Sequence, residues 1–331
     1  MSHIGSDPAG TLVFLINPAA GKASGQRHLR VMLAALEEQT APGRILQVVT
    51  EAPGHATVLA EELAHRIRQD ATLFICGGDG TVHEAINGLM AAGADAMPFA
   101  VIPTGTGNDF ARHLYGRQDA SSVLTGLMSG TMDPTPVDVV RAHGSYYINV
   151  MSFGLDTRVQ MINEHLAEKA AFLGESTFML SSLAGLLGRR SFRMRLEAEG
   201  LLPDGKIGAI SEEFDYILMA VCNAEYYGGG FHPVPGAVSV DGWLEICHVD
   251  TMGLPGILRM LPKYRKGTHL GHPSVHRMTV RKGTLTSLDA PLPLLGNMDG
   301  EVFTTDRMEF ECIPSALRVY RSAPPPETVS L

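Results

Sequence analysis

Short apolar runs alternate with amphipathic stretches through roughly the first 125 residues. Leu12–Ile16 has the pattern of a buried strand and ends in the small-residue turn "NPAAGKASG". Leu29, Met32, Leu33 and Leu36 recur at helical spacing and predict a helix over His28–Gln39. Ile45–Val49 predicts a second strand and Ala56–Arg68 a second helix. Thr72–Cys76, Val82–Met90 and Phe99–Ile102 continue as strand, helix and strand. Such alternation predicts a parallel sheet with helices packed on it. Ligands of these sheets bind beyond the carboxyl ends of the strands. Glycine-rich turns follow three of the predicted strands here, so they converge on one rim.

The pattern changes after Asp133-Pro134. Val137–Val140, Tyr146–Val150, Phe192–Glu197, Tyr216–Cys222, Leu244–Val249, His276–Val280 and Met308–Cys312 read as strands between Gly, Pro and Asp turns. Helical character interrupts them only around 158–187 and 253–266. The expected fold is an α/β N-terminal domain with a parallel sheet, followed by a mainly β C-terminal domain. Residues 1–134 form the first and 135–320 the second, whose last strand is free to return to the first domain. Residues 321–331, ending in "APPPETVSL", read as a flexible tail.

Composition narrows the function classes. The 331 residues suffice for about two domains, and 45% hydrophobic content supports a sizeable core. A formal charge of −9 argues against a nucleic-acid binder, which would carry a basic excess. Cys76, Cys222, Cys247 and Cys312 stand far apart without a CxxC pair, which suits reduced, buried thiols. "MSHIGSDPAG" lacks the basic start and apolar run of a signal peptide, and "TLVFLINP" is too short to span a bilayer. The expected location is therefore cytoplasmic.

The candidate chemistry lies in the turns. In "FICGGDGTVHEAINGL", glycines let the backbone approach a ligand closely, and amides at a helix start favour anions. Asp79 beside a phosphate calls for a magnesium ion between them; the alternative is that it caps the helix that follows. Neither a Walker A loop nor GxGxxG is present. "PTGTGNDFAR" places Asp109 and Arg112 three apart on an opening helix, where they can pair. "NPAAGK" offers Lys22 to phosphate oxygens. In "LLGNMDGEVF", Asp299 and Glu301 flank Gly300, and in extended chain both would point the same way. Paired carboxylates suit removal of a hydroxyl proton plus a magnesium contact, although "DG" is also a common hairpin turn.

Together these stretches resemble the diacylglycerol kinase catalytic family, especially the bacterial lipid kinases. The resemblance spans about residues 11–320, with "NPAAG", "GGDGT", "PTGTGNDFAR", "GGGFHPVPGAVSVDGWLEI" and "NMDGE" in the family's order. It implies an N-terminal domain like that of NAD and diacylglycerol kinases, a β-sandwich after it, and ATP with Mg²⁺ in the cleft between them. By the same resemblance, Asn17, Pro18, Ala19, Ala20, Gly21, Thr50, Gly78, Asp79, Gly80, Thr81, Val82, His83, Glu84 and Thr106 fall where the family contacts nucleotide. Lys22, Asp79, Asp109, Arg112 and Asp138 match a charge network that steadies phosphates and Mg²⁺. Asp299 and Glu301 match the acidic pair that supplies the catalytic base. Asp241 matches a structural-metal ligand, with the carbonyls of Val238 and Trp243. Val240 stands where many members carry a second acidic residue.

The activity this implies is ATP-dependent phosphorylation of a lipid hydroxyl, foremost that of diacylglycerol. The alternatives are a sphingoid base, another glycerolipid or an isoprenoid alcohol as acceptor, or a nucleotide-sensing regulatory protein with little turnover. The lipid partner would be met at a membrane surface through peripheral contact, and a homodimer stays open. Two stretches could make that contact: the apolar run from Ala170 with Arg189, Arg190, Arg193 and Arg195, and the basic residues of 257–282.

Overall fold

The computed structural model describes residues 10–67, 71–93, 97–169, 191–289 and 291–322. Strands β1 (Leu12–Ile16), β2 (Ile45–Val49), β3 (Thr72–Gly77) and β4 (Phe99–Pro103) pair in parallel in the order β2–β1–β3–β4. β3 is buried along its whole length while β2, at the edge, is largely exposed. That contrast follows from position: central parallel strands are covered on both faces and read as continuous apolar runs. Phe14 and Phe74 sit in register on neighbouring strands and stack with ring centroids 4.5 Å apart. Helices α1 (Ala23–Gln39), α2 (His55–Arg66), α3 (Asp79–Ala92), α4 (Asp109–Tyr115) and α5 (Ala120–Met128) follow the strands of this layer.

The second half is antiparallel. Its elements are β5 (Asp133–Ala142), β6 (Ser145–Tyr147), β7 (Val150–Gly154), α6 (Leu155–Lys169), β8 (Phe192–Leu201), β9 (Ile207–Cys222) and β10 (Leu244–Asp250). There follow α7 (Leu254–Lys266), β11 (Val275–Ser287), β12 (Leu294–Met298), β13 (Glu301–Thr305) and β14 (Arg307–Arg321). The pairing order is β13–β12–β7–β9–β10–β11–β14, and β8 pairs with both β9 and β11. Along β8, Phe192, Met194 and Leu196 point into the core while Arg193, Arg195 and Glu197 face solvent, the two-residue period of a half-buried strand. β14 pairs with β5 along much of its length and meets β4 in parallel at Val319↔Phe99. The last strand therefore belongs to both layers and fixes one against the other.

The structure corrects several expectations. The helix expected from Val82 begins at Asp79, and the one expected from His28 begins at Ala23. Helix α5 went unseen because Ser, Thr and Gly are poor helix formers. The Asp119 carboxylate caps it by accepting the Ser122 N–H, and burial of Val123, Leu124 and Leu127 holds it down. Tyr146–Val150 is not one strand: it divides into β6 and β7 around Ile148 and Asn149, whose N–H groups turn to a side chain instead of a ladder. Of the helical stretch expected at 158–187, α6 covers the beginning. Residues 170–190, with Arg189 and Arg190, lie outside the described residues. Arg193 and Arg195 pair with Asp215 and Glu213 on β9. The run 257–282, free of acids in sequence, finds them in space: Arg277 pairs with Glu245, and Arg281 and Lys282 with Glu199.

Candidate active site

The three glycine-rich turns meet at the carboxyl ends of β1, β3 and β4. Asn17 donates its N–H to the Cys76 carbonyl and its side-chain amide to the Thr81 hydroxyl, tying the first turn to the second. Gln26 then donates to the carbonyls of Asn17 and Ala20, at 3.1 and 2.7 Å, and holds the first turn closed. The turns touch backbone to backbone. A Cβ on Gly21, where φ is +68°, would lie 1.9 Å from the Thr104 carbonyl oxygen, and one on Gly105 would lie 2.3 Å from Gly78 Cα. Larger residues at these positions would force the turns apart.

Asp79 does not cap the helix it opens. Its Oδ1 accepts the N–H groups of Asp109 (2.7 Å) and Phe110 (3.2 Å), the first residues of α4. Asn108 would be the natural cap there, but it is in a left-handed conformation and its side chain is bound to both backbone groups of Gly105. The second turn thus caps the helix of the third. Asp109 in turn accepts the N–H of Gly229, at 2.7 Å, from the "GGG" loop of the β-rich half, and forms an ion pair with Arg112. Arg112 also donates to the Gly107 carbonyl, and its guanidinium lies over the Tyr226 ring. Glu225 adds a second joint, with His113 on one side and His232 on the other.

Asp299 comes from the far end of the chain to the same place. It occupies the turn between β12 and β13 at a φ of +49°, so the extended geometry that would align it with Glu301 does not occur. Its side chain is 2% exposed, whereas Glu301 is exposed at the start of β13. The Asp299 carboxylate accepts the N–H groups of Ile148, Asn149 and Val150 at 2.9, 3.1 and 3.1 Å. That is why the strand expected through these residues breaks. His83, from α3, brings its Nδ1 to 3.6 Å from Asp299 Oδ2.

Burial sets the protonation of this cluster. It raises Asp79 to about 6, aided by the charge of Asp109 and opposed by the α4 amides. Burial also raises Asp109 against the pull of the Gly229 N–H and Arg112. For His83, burial favours the neutral ring, but the carboxylates of Asp299 and Glu301 outweigh it and hold the imidazole above its ordinary value.

Other expected site residues fall elsewhere. Pro18, Ala19, Gly21, Lys22, Gly80 and Thr106 are exposed at the rim, and Ala20 is partly so. Thr50 is buried beside the end of β1, its N–H bonded to the Ile16 carbonyl. Val82 is in the core, and the Glu84 carboxylate is taken up by the N–H groups of Gly54 and Ala56 at the start of α2. Asp138 lies away from the glycine-rich turns. It is fully buried beside the 238–243 turn, accepting the N–H groups of Ser315 and Gly242, because β5 carries it alongside β14. Asp241 stands near it, raised to about 6 by burial and by the Asp138 charge, against the N–H of Trp243. Among the described residues no three His, Cys, Asp or Glu side chains gather as a ready metal cage.

A cavity of about 770 Å³ opens from the acidic cluster. Asp79, Asp109, Asn149 and Asp299 line it together with Leu155, Val159, Leu218, Ile257 and Leu261. Polar groups able to hold charge thus share one space with an apolar wall.

Comparison with known proteins gives this geometry its family. Residues 11–142 match the model of the diacylglycerol kinase catalytic domain, and residues 149–321 match the YegS C-terminal NAD kinase beta sandwich-like domain. The chain belongs to the diacylglycerol kinase catalytic-domain family. A protein of Pectobacterium atrosepticum named "Probable lipid kinase YegS-like" is 30% identical over 301 residues, covering 90% of this chain and 92% of that one. The diacylglycerol kinase of Bacillus subtilis is 26% identical over 294 residues, covering 87% and 88%. The crystal structure of a diacylglycerol kinase from Bacillus anthracis shares the fold at a TM-score of 0.63 and 20% identity, covering 94% and 96% of the two chains. As a member of this family the chain is a phosphotransferase of the lipid-kinase type, and ATP is the donor the family uses.

Gln26 has no motif around it, and nothing in the sequence near His83 points to the "NMDGE" turn 216 positions away, so neither the closure of the first turn nor the approach of His83 to Asp299 is legible from sequence.

The raised carboxyl of Asp79 has a consequence for stability. A carboxyl whose folded pKa lies above its unfolded value binds its proton more tightly in the folded state. Its contribution is full below about pH 4 and is lost as pH rises through about 6. In the ligand-free protein, the stability of wild type relative to Asp79→Asn therefore falls by about 2 kcal/mol between pH 4 and pH 7. Urea denaturation of both proteins across that range measures it, and a flat difference would contradict the assignment.

Proposed function

We propose that the protein transfers the γ-phosphoryl group of ATP to the hydroxyl of diacylglycerol, giving phosphatidic acid. The observation that carries this reading is the shared cavity, with carboxylates where charge must be managed and an apolar wall where acyl chains would lie. Phosphoryl transfer asks mainly for positioning and charge neutralisation. In this reading the turn backbone at Asn17–Gly21 and Gly78–Gly80, with the exposed Lys22 and Thr106, receives the nucleotide phosphates.

The residues present suit a divalent cation. Half-buried Asp79 lies beside buried Asp109, each raised, with Arg112 as the cation paired to Asp109. Mg²⁺ bound there would supply charge neutralisation at the phosphates, and oxygen donors are what it prefers. The Asp138 and Asp241 pair is the candidate for a second, structural cation, with the carbonyls of Val238 and Trp243.

Asp299 is the proposed base. Three backbone N–H groups fix its carboxylate at the cavity wall, and the His83 ring stands beside it. The acceptor oxygen bonds to the γ-phosphorus as the bond to the β,γ-bridging oxygen breaks. ADP departs and the hydroxyl proton passes to Asp299. Glu301, exposed and near His83, contributes negative charge to the same locality.

Helix α7 offers the route to the membrane. Leu258 and Leu261 are 54% and 41% exposed on it, beside Arg259, Lys263 and Lys266, and Leu261, Pro262 and Arg265 also line the cavity. An apolar edge next to cations is the pattern of a helix that rests on an anionic surface. Among the described residues no helix is long and apolar enough to cross a membrane.

Two outcomes check this reading. Asp299→Asn lowers kcat on short-chain diacylglycerol in mixed micelles by about 10²–10⁴-fold while ATP binding stays close to wild type; wild-type turnover in that variant would remove Asp299 from the mechanism. The change Leu258→Ser weakens sedimentation with phosphatidylglycerol vesicles and lowers activity on them, while activity on micellar short-chain lipid persists. Equal vesicle binding by the variant would remove α7 as the contact.

A further inference from the structure

One wall of the cavity holds a carboxyl group that the phosphoryl-transfer scheme does not use. Asp156, in the first turn of α6, lines the cavity alongside Leu155 and Val159. Both of its carboxyl oxygens are buried and neither has a hydrogen-bond partner. Ser152, the Thr157 N–H and Tyr227 stand near enough to favour the charged form, but burial outweighs them and raises the pKa. The wall around it is largely apolar, from Leu155, Val159, Leu218 and Ile257, with Ser152, Gln160 and Tyr227 as its polar members.

An ionised carboxylate left unpaired in such surroundings is costly, whereas a neutral carboxyl needs only an acceptor for its O–H. We propose that Asp156 is a lipid-recognition residue, donating its carboxyl O–H to an uncharged acceptor oxygen of the substrate, the ester carbonyl of a glycerolipid. This rests on the lipid-kinase reading above and sharpens it: the acceptor lipid carries an ester next to its reacting hydroxyl, and an ether-linked or amine-bearing lipid leaves Asp156 without its partner. The cost of a buried polar group deprived of its match is what makes such a site discriminate.

The test compares dioctanoylglycerol with the dioctyl ether analogue, which lacks both carbonyls, in the same micelles with ATP and Mg²⁺. Wild type prefers the ester by about tenfold in kcat/KM, the worth of one hydrogen bond to a buried group. Asp156→Leu loses that preference by slowing on the ester alone. Asp156→Asn, which cannot ionise but keeps an N–H donor, retains it. Thermal unfolding of each variant reports any structural cost separately. If Asp156→Leu slows both lipids equally, or leaves the ester preference intact, Asp156 has no recognition role. Loss of the preference in Asp156→Asn would likewise overturn a neutral donor. Should wild type phosphorylate neither glycerolipid, the diacylglycerol reading itself fails, a result distinct from either.

Discussion

Acidic side chains at the joint between the two halves are held in place by backbone N–H groups borrowed from other segments. Asp79 takes the free amides of α4, Asp109 takes one from the "GGG" loop, and Asp299 takes three from the break between β6 and β7. Each hydrogen bond to a charged group is worth about 1.5–3 kcal/mol. The bonds also dictate geometry, since an amide at the start of a helix can be satisfied only from one direction. The turn, the helix and the loop therefore cannot be placed independently. The position of the β-rich half over the rim of glycine-rich turns follows from where these donors point.

The same bonds leave the site short of positive charge. Arg112 is paired with Asp109, and the amides compensate the carboxylates only in part, so Asp79 remains raised. A cluster in that condition favours a cation and tolerates a polyanion only with one. Beside it the wall turns apolar within a single cavity. A hydroxyl that reaches Asp299 from that side must belong to a molecule content to leave the rest of itself in contact with leucine, valine and isoleucine.

Much of the α/β half was legible because its signals are local. The apolar runs of β1, β3 and β4 reappear as strands almost to the residue, and the small-residue turns do converge. The β half was legible as strands but not as a topology, since the double pairing of β8 and the return of β14 to β4 are long-range facts. What local reasoning could not reach at the site has one cause: its carboxylates are held by backbone donors far away in sequence. Spacing offered Asp79 either to a phosphate-bound cation or to the helix it starts, and set Asp299 beside Glu301 in extended chain, whereas the N–H groups of α4 hold the first and those of residues 148–150 the second. His83 meets Asp299 by the same logic of separation, 216 positions apart in sequence and 3.6 Å apart in space.

The central claim is that one cavity unites a phosphoryl-transfer site with a lipid acceptor. Incubating the full-length protein with γ-³²P-ATP, Mg²⁺ and a total lipid extract, then resolving the organic phase, tests it most directly. The account predicts a labelled product that appears only with added lipid and comigrates with phosphatidic acid. Label confined to inorganic phosphate or to the aqueous phase, whatever lipid is supplied, would contradict it.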